Sequence, residues 1–152
     1  MQGIYVAEID IASMTTAKGL IYIAAPSDAA VEILSAHAGN ADNDTNEQAE
    51  FSFTKVATIG SPAGTSITPI GSENGSPAAG STVLGNLTTE PTSYEGVDWD
   101  YQGVPLLGGY DFDPTPEERP VISPSGAAAL RLRSTIASSK LICQVKFREI
   151  GG

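Results

Sequence analysis

Reactive side chains are scarce in this chain. It has one cysteine (Cys143), one histidine (His37) and one tryptophan (Trp99) in 152 residues. A lone cysteine closes no internal disulfide, so nothing indicates an oxidising compartment. Zinc requires several His or Cys ligands, and one of each is insufficient. A Ser–His–acid triad would have to use His37, yet the chain has no Gly-x-Ser-x-Gly elbow. A glycine loop of the kind that cradles phosphate is also missing. Positive charge is sparse, with 8 basic against 18 acidic residues, a net charge of −10 and a pI near 4.3. Such a surface repels a phosphate backbone, which argues against nucleic acid as the main partner. No stretch approaches 18 consecutive apolar residues, so no transmembrane helix and no membrane partner are expected. No basic segment followed by an apolar core opens the sequence, so no signal peptide is expected, and synthesis and folding are expected in a cytoplasm.

What is present points to a β-rich globule. Hydrophobic residues make up 41% and charged residues 17% of the chain. That balance fits a folded domain of a size that buries roughly 68–70% of its unfolded surface. Glycine (16) and proline (10) are more frequent than a helical protein tolerates and normal for one built of strands and turns. Ile4–Ile11 sets Tyr5, Ala7, Ile9 and Ile11 on one face against Glu8 and Asp10, and Leu20–Ala25 is a short apolar run closed by Pro26. Both read as strands. Ser27–His37 reads as a capped helix or as a strand; Pro26 and Gly39 leave little room for a stable helix and favour the strand. Phe51–Ile59 is a strand, Ser66–Ile70 a short one between two Gly-Ser-Pro-Ala turns, and Thr82–Leu87 a weak one. Thr88–Gly109 reads as a long acidic loop carrying Tyr94, Trp99 and Tyr101. After the proline-rich crossing from Asp113 to Pro124, Ala129–Arg133 and Leu141–Arg148 alternate apolar with polar or basic residues. The expected fold is all-β, a two-sheet antiparallel sandwich of jelly-roll type formed as one domain over residues 1–152.

Candidate chemistry is thin. His37 suits a surface or hydrogen-bonded residue, and Cys143, in phase with Leu141, Val145 and Phe147, suits a small core hydrophobe. Asp42–Asn46 and Asp98–Gly103 supply oxygens at alternate positions but lack the glycine or the closing glutamate of a calcium loop. Asp111 and Asp113 share a strand face, whereas paired glycosidase carboxylates flank a cleft from different elements. An enzyme would have to draw on Asp98, Asp100, Asp111 or Asp113 joined by a cleft, and the reading is therefore of a non-enzyme without metal or cofactor. Trp99 with Tyr94, Tyr101 and Tyr110 could stack on sugars, anchor an interface, or fold the long loop onto the sandwich.

The charge layout is more informative. Five of the eight basic residues, Arg131, Arg133, Lys140, Lys146 and Arg148, fall in the last 22, opposed there only by Glu149. If the last two strands pair as a hairpin, these five share the face away from the core, with Ile142 among them. Like charges on adjoining strands repel unless a partner neutralises them. The expected partner is an acidic surface on a neighbouring copy, a heterologous contact that closes into rings such as trimers.

Several segments together resemble a known family. Thr45–Gln48, Gly60–Thr65, Phe112-Asp113-Pro114-x-Pro116-Glu117-Glu118-Arg119-Pro120, Ile122–Gly126 and the closing Phe147–Gly152 look like small β-sandwich proteins from tailed-bacteriophage virion gene clusters. The similarity runs from about Val6 to the end of the chain. It implies a head decoration, or cement, protein of jelly-roll topology and trimeric assembly. The implied partners are the major capsid protein and copies of itself, and the implied location is the virion. It carries over no catalytic residues. The expected interface residues are Arg131, Arg133, Lys140, Lys146, Arg148, Trp99 and Tyr101. The alternative reading is a tail- or fibre-associated or carbohydrate-binding sandwich module using Trp99 and its tyrosines.

Overall fold

Alternation of apolar and polar residues builds the first sheet. In the computed structural model, which describes residues 3–42 and 46–151, β1 (Gly3–Met14) buries Tyr5, Ala7 and Ile11 and exposes Ile4, Glu8 and Asp10. It pairs antiparallel with β13 (Ser139–Gly151), whose buried Leu141, Cys143, Val145 and Phe147 alternate with Ile142, Gln144, Lys146 and Arg148. On the other side of β13 lies β3 (Ala29–Asn40), so the ambiguous Ser27–His37 segment is strand. The edge of β3 is completed by β10 (Tyr110–Phe112) and β11 (Val121–Ile122), and that of β1 by β6 (Ile70–Gly71). This is sheet A.

Sheet B is centred on β2 (Lys18–Ala24) and β12 (Ala127–Leu132), with β4 (Gln48–Thr58) beyond β12. On the β2 side follow β7 (Thr82–Thr89) and then β5 (Ala63–Ile67). Beyond β4 come β8 (Ser93–Tyr94) and β9 (Asp100–Pro105). All of these pairings are antiparallel.

Eight of the strands carry a jelly roll. In chain order β1, β2, β3, β4, β9, β10, β12 and β13 pair first with last, second with seventh, third with sixth and fourth with fifth. Their sheets read β1-β13-β3-β10 and β2-β12-β4-β9. That connectivity is two nested Greek keys. The segment from Ala63 to Thr89 is an insertion between the fourth and fifth strands, and it widens both sheets on the β1/β2 side. There β7 must pass close to sheet A. A Cβ on Gly85 would sit 2.5 Å from Ile9 Cδ1 and 2.7 Å from Ile67 Cδ1, so only glycine lets those side chains close the edge.

The inner faces of the two sheets share one core in which Tyr5 stacks on Phe147, Phe51 on Tyr110, and Phe53 on Trp99. Side chains of this size each stabilise the fold by about 1.5–3 kcal/mol through burial. A second, smaller core of Tyr22, Val56, Leu87, Ala127 and Ala129 lies on the outer face of sheet B. It explains why β2 is buried on both faces and why Ser52 and Thr54, on the polar side of β4, are also buried.

Three expectations change. The last two strands form no hairpin, because β12 lies in sheet B and β13 in sheet A. Residues 134–138 cross from one sheet to the other, anchored by the buried Ile136, whose N–H bonds the Thr15 carbonyl. Thr88–Gly109 is not a loop throughout, since it contains β8 and β9. The single strand expected over Ser66–Ile70 is two, β5 and β6, which serve different sheets.

Candidate functional site

The basic residues expected at an interface divide between the two outer faces. Arg131 and Arg133 point outward from β12 but are covered by the chain itself. From Glu90, which accepts from the Gly19 N–H of β2, the chain crosses the outer face of sheet B to Tyr94 beside Val56, and it then follows the free edge of β4, held by the Glu95 N–H on the Lys55 carbonyl and the Trp99 N–H on the Phe53 carbonyl. It brings Tyr94 over Arg131, with the guanidinium carbon 3.7 Å from the ring centroid, and Tyr101 over Arg133 at 4.7 Å. Arg133 Nη1 donates to both carboxylate oxygens of Asp98 at 3.0 Å, and Asp98 also accepts from the Thr54 hydroxyl. Tyr94 donates to Glu90 at 3.1 Å and Tyr101 to Glu50 at 2.6 Å. Burial pulls the Arg131 guanidinium below its ordinary pKa. The bond to Glu50 is the main cause that raises the Tyr101 phenol. The repulsion that called for a neighbouring copy at these two arginines is therefore relieved within the chain.

The remaining expected cations lie on β13. Lys146 is exposed on the outer face of sheet A, flanked by Val6 on β1 and Ser35 on β3. Arg148 pairs with Glu32 of the neighbouring strand. Lys140 starts the strand, and its backbone N–H donates to Asp42 at 2.6 Å. This face is bordered by the 72–77 segment beside Ile4 and Arg148. Of the eight exposed large apolar side chains among the described residues, five are on it: Ile4, Ile70, Val121, Ile142 and Ile150.

Trp99 lies elsewhere, at the gap between the edges of the two sheets. There β9 faces β10, and Asp100 accepts from the Tyr110 phenol at 2.8 Å and from the Gln102 amide at 2.7 Å, tying the edges together. Burial, then the bond to Asp100, raises the Tyr110 pKa. Outside this tie a cleft of about 600 Å³ opens, lined by Trp99, Phe112, Asp100, Asp111, Asp113 and Glu118 among others, none of them basic. Its far wall is the 113–120 segment, stiffened by three prolines and a 3-10 turn at Pro116–Glu118. Of the carboxylates on which an enzyme would depend, Asp100 and Asp113 line the cleft, while Asp111 borders it with its carboxylate on His37 at the outer face of sheet A. Asp98 is on the opposite side of the strand with Arg133.

The other candidates fall into place individually. His37 Nδ1 is 3.0 Å from Asp111 Oδ1 on the outer face of sheet A. Cys143 is in the core, its thiol pushed up to about 12 by burial and then by Asp10. In the Asp98–Gly103 segment Asp98 and Asp100 are held by Arg133 and Tyr110 on opposite faces and do not converge. The middle of the Asp42–Asn46 segment lies outside the described residues. No group of three or more potential metal ligands occurs among the described residues.

Sequence reasoning missed Asp98 and Glu50 as partners of Arg133 and Tyr101. The available signal was the polar Ser52 and Thr54 opposite Phe51 and Phe53 on a strand whose apolar Val56 requires a covered outer face. Comparison with family models, curated proteins and solved structures finds no match.

Proposed function

We propose that the protein is a structural component of a tailed-bacteriophage virion, a head decoration protein that stabilises the capsid through contacts with the major capsid protein and with copies of itself. The observation that carries this reading is the asymmetry of the sandwich. The outer face of sheet B is partly covered by the chain around Glu90–Tyr94 and by Tyr101, whereas the outer face of sheet A presents Ile4, Ile70, Val121, Ile142 and Ile150 exposed around Lys146. Bare apolar surface of this kind marks an interaction face. A small acidic domain without a disulfide stays soluble at high concentration before it assembles. Each copy then contributes modest energy across a capsomer seam, multiplied by the number of copies. The trimer implied by the resemblance would draw on Lys140 and Lys146, because Arg131 and Arg133 lie under Tyr94 and Tyr101 and Arg148 pairs with Glu32.

The test is the heat-release midpoint of particles with and without the protein. Particles lacking it should assemble and then lose their genome at lower temperature, and adding back Ile142→Lys protein should restore less than the parent does. Equal midpoints with and without the protein refute the reading. The carbohydrate-binding alternative is narrowed by the tyrosines, since Tyr94, Tyr101 and Tyr110 are engaged with Arg131, Arg133 and Asp100, and of these rings Trp99 is the one that lines the cleft between the sheet edges.

A further inference from the structure

Aromatic rings flanked by carboxylates occur three times along the 90–113 stretch, and two of them hold an arginine. Tyr94 with Glu90 takes Arg131, and Tyr101 with Asp98 and Glu50 takes Arg133. The third is the cleft of Trp99 with Asp100, Asp113 and Glu118, whose lining residues include no basic one, although Arg119 sits in the wall segment between Glu118 and Pro120. We propose that this cleft is a docking site for an arginine side chain on an extended segment of the partner protein. The inference rests on the reading of the chain as a decoration protein and names the part of its surface that grips a partner.

The geometry suits that occupant. Tryptophan is the best of the aromatic rings for a cation, and its indole is fixed by stacking on Phe53 at a centroid distance of 6.0 Å. At about 600 Å³ the cleft is in the range of sites that enclose a small ligand and has room for a guanidinium with flanking backbone. Asp100 is held by Tyr110 and Gln102, and Asp111 by His37, so these carboxylates are positioned before anything binds. Asp113 and Glu118 are exposed on the proline-stiffened wall, and neither pairs with a cation among the described residues. Asp113 and Glu118 on the wall, with Asp100 at its base, select a cation over a neutral sugar, which needs hydrogen-bond donors as well as acceptors. The cleft adjoins the bare face of sheet A through Asp111 and Pro120, next to Val121, so one partner can cover both.

Trp99 is the only tryptophan, and its fluorescence therefore reports on the cleft alone. The full chain is titrated with a blocked five-residue peptide bearing two arginines, with the same peptide bearing citrulline, and with a neutral hexasaccharide. The arginine peptide should give a saturable change that weakens as salt is raised from 50 mM to 0.5 M. The citrulline peptide and the sugar should give none. Asp113→Asn and Glu118→Gln should each weaken binding about two- to fivefold, and roughly tenfold together. Both side chains are exposed, so the double variant should keep the parental melting temperature. Equal responses to arginine and citrulline, saturation by the hexasaccharide, an indifferent double variant, or a fluorescence change that follows protein concentration without peptide would each overturn the proposal. The heat-release assay separates the two readings. Protein that protects particles but ignores the peptide removes the cleft and keeps the function, and protein that binds the peptide but protects nothing does the reverse.

Discussion

Removing the Asp98 carboxylate should loosen the cover of sheet B before it affects anything else. Asp98 has about 12% side-chain exposure and Arg133 about 29%, so the pair is neither a surface bridge nor fully buried. Exposed pairs contribute roughly 0.2–1 kcal/mol, and breaking one side of a buried pair costs about 3–5 kcal/mol. Asp98→Ala leaves the Arg133 guanidinium facing Tyr101 without its carboxylate and the Thr54 hydroxyl without its acceptor. A loss of about 2 kcal/mol follows, or a drop of roughly 4–8 °C in melting temperature for a chain of this size. Hydrogen exchange should show faster amides in Glu95 and Trp99, whose bonds to β4 hold the segment down. Arg133→Met should restore much of the loss in the Asp98→Ala background, because the stranded charge is then gone. Arg133→Glu should be worse than either single change, and it should act on melting temperature rather than on oligomer mass. A single-variant loss below about 0.5 kcal/mol, or a double-variant loss equal to the sum of the singles, would refute the account.

Two further outcomes follow from the core. Gly85→Ala should cost about 1–3 kcal/mol in urea unfolding. Ile9→Val, which deletes the Cδ1 atom that the new methyl would strike, should recover part of that loss; no recovery would place the strain elsewhere. Cys143 gives an alkaline signature: its folded-state pKa lies above the unfolded value near 9, so both states hold the proton below pH 9. Between about pH 9 and 12 the unfolded chain ionises first, and stability falls by up to about 1.4 kcal/mol per unit from this group. The loss of stability with rising pH over that interval should be shallower for Cys143→Ala, and identical slopes for the two proteins would count against the assignment.

The strands that carry strict alternation were legible from the residues. β1 and β13 have one wet face, so the buried set shows as every second residue, and β2 reads as a plain apolar run because both its faces are covered. The pairing of those strands was less legible. Neighbouring strands in sequence usually neighbour in space, which made a hairpin of β12 and β13 the natural expectation. The contrary signal was Ile136, an apolar residue in an otherwise polar turn, which a hairpin leaves exposed and the crossing buries. β9 was missed because Asp100–Pro105 has little strand propensity of its own. Its conformation is imposed by backbone pairing along Gln48–Phe53. The cleft was invisible for a related reason, since it exists only where the edges of two sheets meet. Trp99, Asp100, Asp111 and Asp113 were each singled out along the chain without any indication that they border one cleft.

The pairing of β1 with β13 has a kinetic side. Gly3 lies opposite Glu149 and Ile11 opposite Leu141, so the central ladder of sheet A joins the first strand to the last. β1 can pair with β6 and set Tyr5 on the Pro77 carbonyl earlier, but its long ladder waits for β13, more than 120 residues further on. A long loop must close before that ladder returns any energy, which places the domain among slow folders. During that wait the nascent strand is an open edge, and its alternating Glu8 and Asp10 are the charges that keep it from pairing with a neighbour on the same message.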